Sequence, residues 1–269
     1  MEAIPVIVDG ALGKMGQAML NAICRDPELK LVGGVDIKAK SDRMPLPDGS
    51  GDVPLSRDLR SLIESTNPRV MVDFTQPEAV MPAVRIAAER HVNLVIGTTG
   101  LSDADLKEID ALSRKHNVGA VVAANFSLGA IMMMHLSKIA AKYFDYAEII
   151  ELHHEQKLDS PSGTAVATAK GMIEARGGKG FTYPATHKES IKGARGAAFE
   201  GIALHSVRSP GYMAHQEVIL GASGQTLKIR HDQISREGFG PGVIMAVKSV
   251  VKSKGLTFGL DKLLGLEEK

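Results

Sequence analysis

Apolar and polar positions follow two different rhythms along the chain, and the change comes about halfway. In the first half, short apolar runs alternate with stretches of helical spacing. Ile4 to Val8 is the first run; Gly10-Ala-Leu-Gly13-Lys-Met-Gly16 breaks it, and Met15, Met19, Ala22 and Ile23 then recur at a helical period. This predicts strand, tight turn and helix. Leu31 to Val35 predicts a second strand, which ends at Asp36. Val70 to Asp73 leads into Phe-Thr75-Gln-Pro77, Leu94 to Ile96 into Gly97-Thr98-Thr99-Gly100, and Gly119 to Ala123 into an Asn125-Phe126-Ser turn. Each is a buried-type strand that ends in a polar or glycine-rich loop, and such loops line one crevice at the carboxyl ends of a parallel sheet.

In the second half strands dominate. A helix from about Leu128 to Tyr143 precedes a strand over Ile149 to His154, and a helix over Thr164 to Glu174 ends at Gly177-Gly178. Gly201 to Arg208, His215 to Gly221 and Gln225 to Gln233 read as strands, the last with Leu227, Ile229 and His231 on one face and Lys228 and Arg230 on the other. Gly238 to Gly242 closes the sheet region, and Val243 to Lys252 forms a last helix that could pack back on the first domain. The expected fold is α/β: a Rossmann-like, parallel-sheet dinucleotide-binding domain over 1–126, completed by 241–269, with a second α+β domain on an open mixed sheet over 127–240.

Composition narrows the function. The chain has 269 residues, 44% hydrophobic and 23% charged, enough for two modest cores. A formal net charge of +1 gives no overall pull toward nucleic acid or a membrane surface, which leaves a small molecule as the expected partner. The longest apolar stretch, Val118 to Met134, contains Asn125 and Ser127 and falls short of a membrane span. An early acid and no long apolar run at the start predict no secretory signal. The single cysteine, Cys24, near the end of the first helix, excludes an internal disulfide and reads as structural; it fits a reducing compartment, with the cytoplasm as the default.

Two stretches carry chemistry. The glycine turn followed by a helix suits a pyrophosphate, because glycine lets the backbone approach the phosphates and the helix start supplies free N–H donors. Its spacing is G-x-x-G-x-x-G, not the strict dinucleotide fingerprint. Asp36, twenty residues beyond Gly16, stands where an acid would meet the adenosine ribose. The second stretch, Glu151 to Ala165, reads E-L-H-H-E-Q-K-L-D-S-P-S-G-T-A. It offers imidazoles for proton transfer, the Lys157 ammonium for a carboxylate, and a Ser162-Gly163-Thr164 turn opening a helix. His153 and His154 point to opposite faces if the strand continues through both. A metal site is not expected, since the spacing fits no zinc motif and no cysteine lies nearby. His91, His116, His135, His187, His205 and His215 are read as ordinary core or surface imidazoles.

With these motifs in order, the chain resembles the dihydrodipicolinate reductase family over nearly its whole length. The resemblance rests on Gly10-Ala-Leu-Gly-Lys-Met-Gly16, Asp73-Phe-Thr75, Gly97-Thr-Thr-Gly100, Ala123-Ala-Asn-Phe126 and, most specifically, E-L-H-H-x-x-K-x-D-x-P-S-G-T-A. It implies reduction, by NADH or NADPH, of the cyclic dicarboxylate made from pyruvate and aspartate semialdehyde on the diaminopimelate route to lysine, with hydride delivered to ring C4. It further implies that His153 donates and accepts the proton and that Lys157 is a second donor. His154, Ser162, Gly163 and Thr164, with Thr99, would hold the substrate. Gly10, Ala11, Leu12, Gly13, Lys14, Met15, Asp36, Gly97, Thr98, Thr99, Ala123, Ala124, Asn125 and Phe126 would hold the cofactor, and a homotetramer would form through the second domain's sheets. Three departures stand out. Lys14 replaces the usual arginine, Asp9 places an acid before the glycine turn, and Ile37 follows Asp36 where a basic residue often meets the 2′-phosphate, with Lys38 next to it. Asp36 would repel that phosphate, so NADH is expected to serve at least as well as NADPH. The alternatives are a non-catalytic NAD(P)H sensor on the same fold and a reductase of a linear aldehyde.

Overall fold

The computed structural model describes residues 2–186 and 188–266; His187 lies outside the described residues. The chain divides into two compact units, 1–128 with 236–269 and 129–235.

The first unit begins β1 (Ile4–Asp9), α1 (Lys14–Arg25), β2 (Leu29–Val35), β3 (Arg43–Pro45), β4 (Asp52–Ser56), α2 (Leu59–Thr66), β5 (Val70–Asp73), α3 (Pro77–Glu89), β6 (Asn93–Ile96), α4 (Asp103–Lys115) and β7 (Gly119–Val122). The chain then runs through α5 (Leu128–Ala141), β8 (Tyr146–His153), α6 (Gly163–Ala175), β9 (Ala197–Phe199), β10 (Ile202–Arg208), β11 (Ala214–Ala222) and β12 (Gln225–Gln233). A 3-10 turn, α7 (Gly240–Val250), β13 (Gly255–Phe258) and α8 (Leu260–Leu263) return to the first unit.

Eight strands of the first unit form one sheet in the order β13-β7-β6-β5-β1-β2-β4-β3, parallel except for the β3/β4 pair. The winding reverses at β1, which lies between β2 and β5, so the carboxyl end of β1 is the switch point where an open α/β sheet takes its ligand. Every residue of β5 and β7 is buried, as covering helices on both faces require, which is why these strands read as continuous apolar runs. Local signals set the helix ends. Ser102 and Asp105 close a capping box at the start of α4, and Pro77 opens α3. The segment between Asp36 and Val70, for which no element was expected, supplies β3, β4 and α2; its strands are short, sit at the sheet edge and carry Pro45 and Pro54.

The closing helix starts earlier than the sequence suggests. Gly240-Pro241-Gly242, read as a break, forms the first turn of α7. Proline's fixed φ suits a first turn. Both glycines are needed for packing: a Cβ on Gly240 would stand 2.8 Å from the Cβ of Ala22, and one on Gly242 would stand 2.1 Å from the carbonyl oxygen of Phe126. Beyond α7, β13 pairs in parallel with β7 and completes the sheet.

The second unit is a five-stranded mixed sheet, β12-β11-β8-β10-β9, in which only β8 and β10 run parallel. α5 and α6 cover one face. Ala141, Ala165, Ala169 and Met172 from these helices pack on Ala147, Ile149, Ile202, Leu204, Val218 and Leu220. By strand alternation, Glu151 and His153 of β8 and Ser206 and Arg208 of β10 point to that same face, beyond the end of the apolar core.

Candidate active site

In the first unit, the turn after β1 is built for close approach. Gly10 has φ +79°, and a Cβ there would lie 2.7 Å from the Phe74 carbonyl oxygen. Gly16 is more constrained, because its Cβ would fall 2.1 Å from the carbonyl oxygen of Gly10. Alanine at either site would push the helix off the turn. Gly13 leaves α1 without a side-chain cap, and the first helical turn has no acidic residue. Open helix N–H groups over a glycine cradle fit the pyrophosphate of a dinucleotide. Leu12, Gly13 and Lys14 are exposed, Met15 is half-buried and Ala11 is buried. Asp36 is tied to this turn: its Oδ2 accepts the Leu12 N–H at 2.9 Å and its Oδ1 the Lys38 N–H at 2.8 Å. Ile37 projects outward, 81% exposed.

Asp9 points inward. It is the register partner of Asp73 on the neighbouring strand, both are buried, and their carboxyl groups hydrogen-bond each other. The Thr98 hydroxyl donates to Asp73 Oδ1 at 2.5 Å and the Thr75 hydroxyl to Oδ2 at 2.9 Å. Burial, then the charge of Asp73, push Asp9 up to about 7, against a bond from the Gly10 backbone. Burial also raises Asp73, opposed by the two threonines. With both Asp73 oxygens already accepting, the shared proton belongs on Asp9. The acid that looked hostile to a nearby phosphate is thus a buried partner.

The other loops divide by exposure. Gly97 is half-buried, and Thr98 is buried with its hydroxyl spent on Asp73, whereas Thr99 is exposed. Ala124 is exposed, and the Asn125 side chain accepts the Ser127 N–H at 2.8 Å. Ala123 and Phe126 are buried, with the Phe126 ring edge-on to Phe74 at 5.9 Å between centroids.

In the second unit, β8 brings the histidine stretch to a carboxylate. Glu151, 1% exposed, accepts from His153 Nδ1 at 2.5 Å, from the two terminal nitrogens of Arg208 at 2.8 Å each, and from the Ser162 N–H at 3.2 Å. Burial is the largest single influence on Glu151 and acts to raise it, but the bonds from His153, Arg208 and Ser206 outweigh it and hold the carboxyl down at about 2. Ser162, also buried, caps α6 by accepting the Ala165 N–H at 3.2 Å; Gly163 is exposed and Thr164 half-buried at the first turn. Lys157 pairs with Asp159 at 2.7 Å, and the Lys157 N–H donates to the His154 carbonyl at 3.2 Å. The strand ends at His153, which leaves His154 half-buried in the following turn.

Glu151 and Arg208 went unassigned at the level of sequence. Glu151 was visible: it opens the E-L-H-H stretch and, two residues before His153 on a strand, shares its face. Arg208 reaches His153 only through the pairing of β10 with β8, and no local signal marks it. His91 contacts the His116 carbonyl and ring, His205 pairs with Glu148 at 3.0 Å and His215 with Asp232 at 2.5 Å, while His135 lies half-buried on α5. Among the described residues no group of three or more His, Cys, Asp or Glu side chains could hold a metal, and no helix is long and apolar enough to cross a membrane.

A parallel sheet with a glycine cradle at its switch point, joined to a mixed sheet that carries an anchored histidine, defines an NAD(P)H-dependent oxidoreductase. Residues 4–126 match the family described as dihydrodipicolinate reductase, N-terminus, and residues 129–264 its C-terminus. The chain belongs to the dihydrodipicolinate reductase family. It is 56% identical to the 4-hydroxy-tetrahydrodipicolinate reductase of Dehalococcoides mccartyi strain 195, over 99% of this chain and 100% of that one, and 45% identical to that of Bacillus subtilis strain 168, over 98% of each. Among solved structures, dipicolinate-bound dihydrodipicolinate reductase from Paenisporosarcina sp. TG-14 superimposes with a TM-score of 0.85 at 38% identity, covering 97% of this chain and 99% of that one.

Proposed function

We propose that the protein reduces 4-hydroxy-2,3,4,5-tetrahydrodipicolinate, by way of dihydrodipicolinate, to tetrahydrodipicolinate in the diaminopimelate route to lysine. The observation that carries this reading is His153 anchored on a buried carboxylate next to the Ser162 N–H and the start of α6, in a chain so closely similar to named reductases. Bound nicotinamide supplies the hydride that reaches ring C4. The electron pair displaced along the conjugated ring is quenched by one proton, which His153 delivers, with Lys157 as a second donor. Gly163, Thr164 and the open N–H groups of α6, with Ser162, His154 and Thr99, hold the substrate carboxylates. Gly10 to Met15, Asp36, Gly97 to Thr99 and Ala123 to Phe126 hold the dinucleotide. For Ala11, Thr98, Ala123 and Phe126 that role falls to the backbone, since their side chains are buried.

In this reading 1–126 with 241–269 is the cofactor domain and 127–240 the substrate domain. The protein works in the cytoplasm as a homotetramer, assembled through the face of the five-stranded sheet opposite α5 and α6, where half-exposed Ile150, Leu152 and Ile219 alternate with buried positions. NADH serves at least as well as NADPH, because the Asp36 carboxylate, already fixed by two backbone N–H groups, is placed for ribose hydroxyls and against a 2′-phosphate.

The test is loss of reduced-nicotinamide absorbance when the protein meets substrate generated in place from pyruvate and aspartate semialdehyde by the preceding synthase, with NADH and NADPH compared. Oxidation that needs both proteins is expected, with His153→Ala losing turnover far more than cofactor affinity. Intact cofactor binding with no oxidation would favour a sensor; oxidation with a linear aldehyde alone would favour the other reductase.

A further inference from the structure

We propose that Glu151 and Arg208 are positioning residues for the reaction: a buried carboxylate–guanidinium pair that holds His153 in one tautomer and ties the Lys157 turn to the same support. This rests on the assignment of His153 and Lys157 as the proton-handling groups, and it adds how they are kept competent.

Glu151 Oε2 receives His153 Nδ1 and one Arg208 nitrogen; Oε1 receives the other Arg208 nitrogen and the Ser162 N–H. A carboxylate surrounded by these donors, with Ser206 adding another, is ionised and can only accept. His153 must therefore carry its hydrogen on Nδ1 when neutral, which leaves Nε2 as the nitrogen that gains and loses the working proton. The ring is oriented by the carboxylate, as a histidine in a catalytic triad is oriented by its acid.

A lone buried carboxylate would do this badly. With nothing to balance it, its charge would favour a permanently protonated imidazole, unable to take a proton back. Arg208 supplies the balance, and its planar fork matches both oxygens at 2.8 Å as an ammonium cannot. The titratable and charged groups bearing on this cluster are His153, Arg208 and Asp159, with Ser206 adding a neutral hydrogen bond.

The same guanidinium has a further contact. One terminal nitrogen also donates to the Asp159 carbonyl at 2.7 Å, and the Asp159 carboxylate holds Lys157 Nζ at 2.7 Å. One side chain therefore bears on both proposed proton donors, through Glu151 on one side and through the 154–161 turn on the other. It does so although its own Nε is buried without a partner. That orphaned donor is a cost tolerated by a geometry set by Glu151 and Asp159.

The experiment compares Glu151→Gln, Arg208→Lys and Arg208→Ala with the parent and with His153→Ala. Glu151→Gln and Arg208→Lys are expected to lower kcat on the order of 100-fold, between the loss typical of partners that orient a ligating histidine and that of a triad carboxylate. NADH affinity should stay within about twofold, because the glycine cradle belongs to the other unit. The pH–rate profile of kcat should move to lower pH in Glu151→Gln, guanidinium ion should partly restore Arg208→Ala, and ring 15N shifts should report the Nδ1–H tautomer in the parent and a mixture in Glu151→Gln. Unchanged kcat and pH profile in Glu151→Gln and Arg208→Lys, with His153→Ala inactive, would overturn the proposal and leave the reductase reading standing. Parallel loss of NADH binding, or no guanidinium rescue, would reduce the pair to a structural role and likewise overturn it. If Glu151→Gln fails to fold, Arg208→Lys and the rescue decide. Full activity in His153→Ala would instead sink the reading on which the proposal rests.

Discussion

Asp9 and Asp73 show how one residue's surroundings turn an apparent fault into a pH-dependent property. The Asp9 carboxyl moves from 3.8 to about 7 on folding, so across that window the folded chain keeps a proton that the unfolded chain has released. Its contribution is fully present below about pH 4 and is lost as pH rises through 7, by an amount on the order of a few kcal/mol. Asn keeps a hydrogen-bond donor to Asp73 and cannot ionise. Asp9→Asn should therefore be clearly more stable than the parent at pH 8 and close to it at pH 4, read from urea midpoints at the two pH values. An equal difference at both would show that Asp9 does not titrate in this range. The sequence announced Asp9 as an oddity but not its direction, because the partner lies on another strand. Glu151 was legible in the same sense, as one letter of a motif, whereas Arg208 was not legible at all, since only the β8/β10 register brings it to His153.

At the scale of elements, function gathers at two helix starts, and each depends on a small residue at a fixed place. α1 can lie on the Gly10 turn only because Gly16 has no side chain. Gly16→Ala is expected to destabilise the protein by about 1–3 kcal/mol and to weaken NADH binding in step, checked by thermal unfolding and cofactor titration. At α6, Ser162→Ala removes the cap and should cost about 1 kcal/mol while raising the substrate KM more than the cofactor KM. The elements that a single stretch of sequence can encode were read directly: β5 and β7 as unbroken buried runs, α1 from its period, and the end of α6 from Gly177-Gly178, both at positive φ. Those that depend on neighbours were not. β3 and β4 are short strands at one edge of the sheet, with β3 outermost, that gain their identity by pairing, and Gly240-Pro241-Gly242 looked like a break because the close approaches that call for glycine lie far off in sequence.

For the whole molecule, the decisive feature is that the first unit is discontinuous: the chain leaves it at Leu128 and re-enters at Arg236. The C-terminal piece is structural to that unit, since α7 packs against α1 and β13 hydrogen-bonds along β7. Removing residues from Gly255 onward should strip the β7 edge of its partner and lower hydrogen-exchange protection in β7 while leaving β8 and β11 unchanged; equal loss in both units would contradict this. A returning closing helix was foreseeable from its apolar period. β13, four residues long and recognisable only by its pairing, was not.

This layout also fixes an order of events during synthesis. The second unit is one uninterrupted stretch with its own apolar core, complete once Ser235 has left the ribosome. The first unit, begun more than a hundred residues earlier, must wait for the segment from Arg236 to Phe258 before its sheet and the α1/α7 packing can close. Until then its nascent form exposes the bare flank of α1 and, once made, the β7 edge, and these are the surfaces on which a chaperone would act.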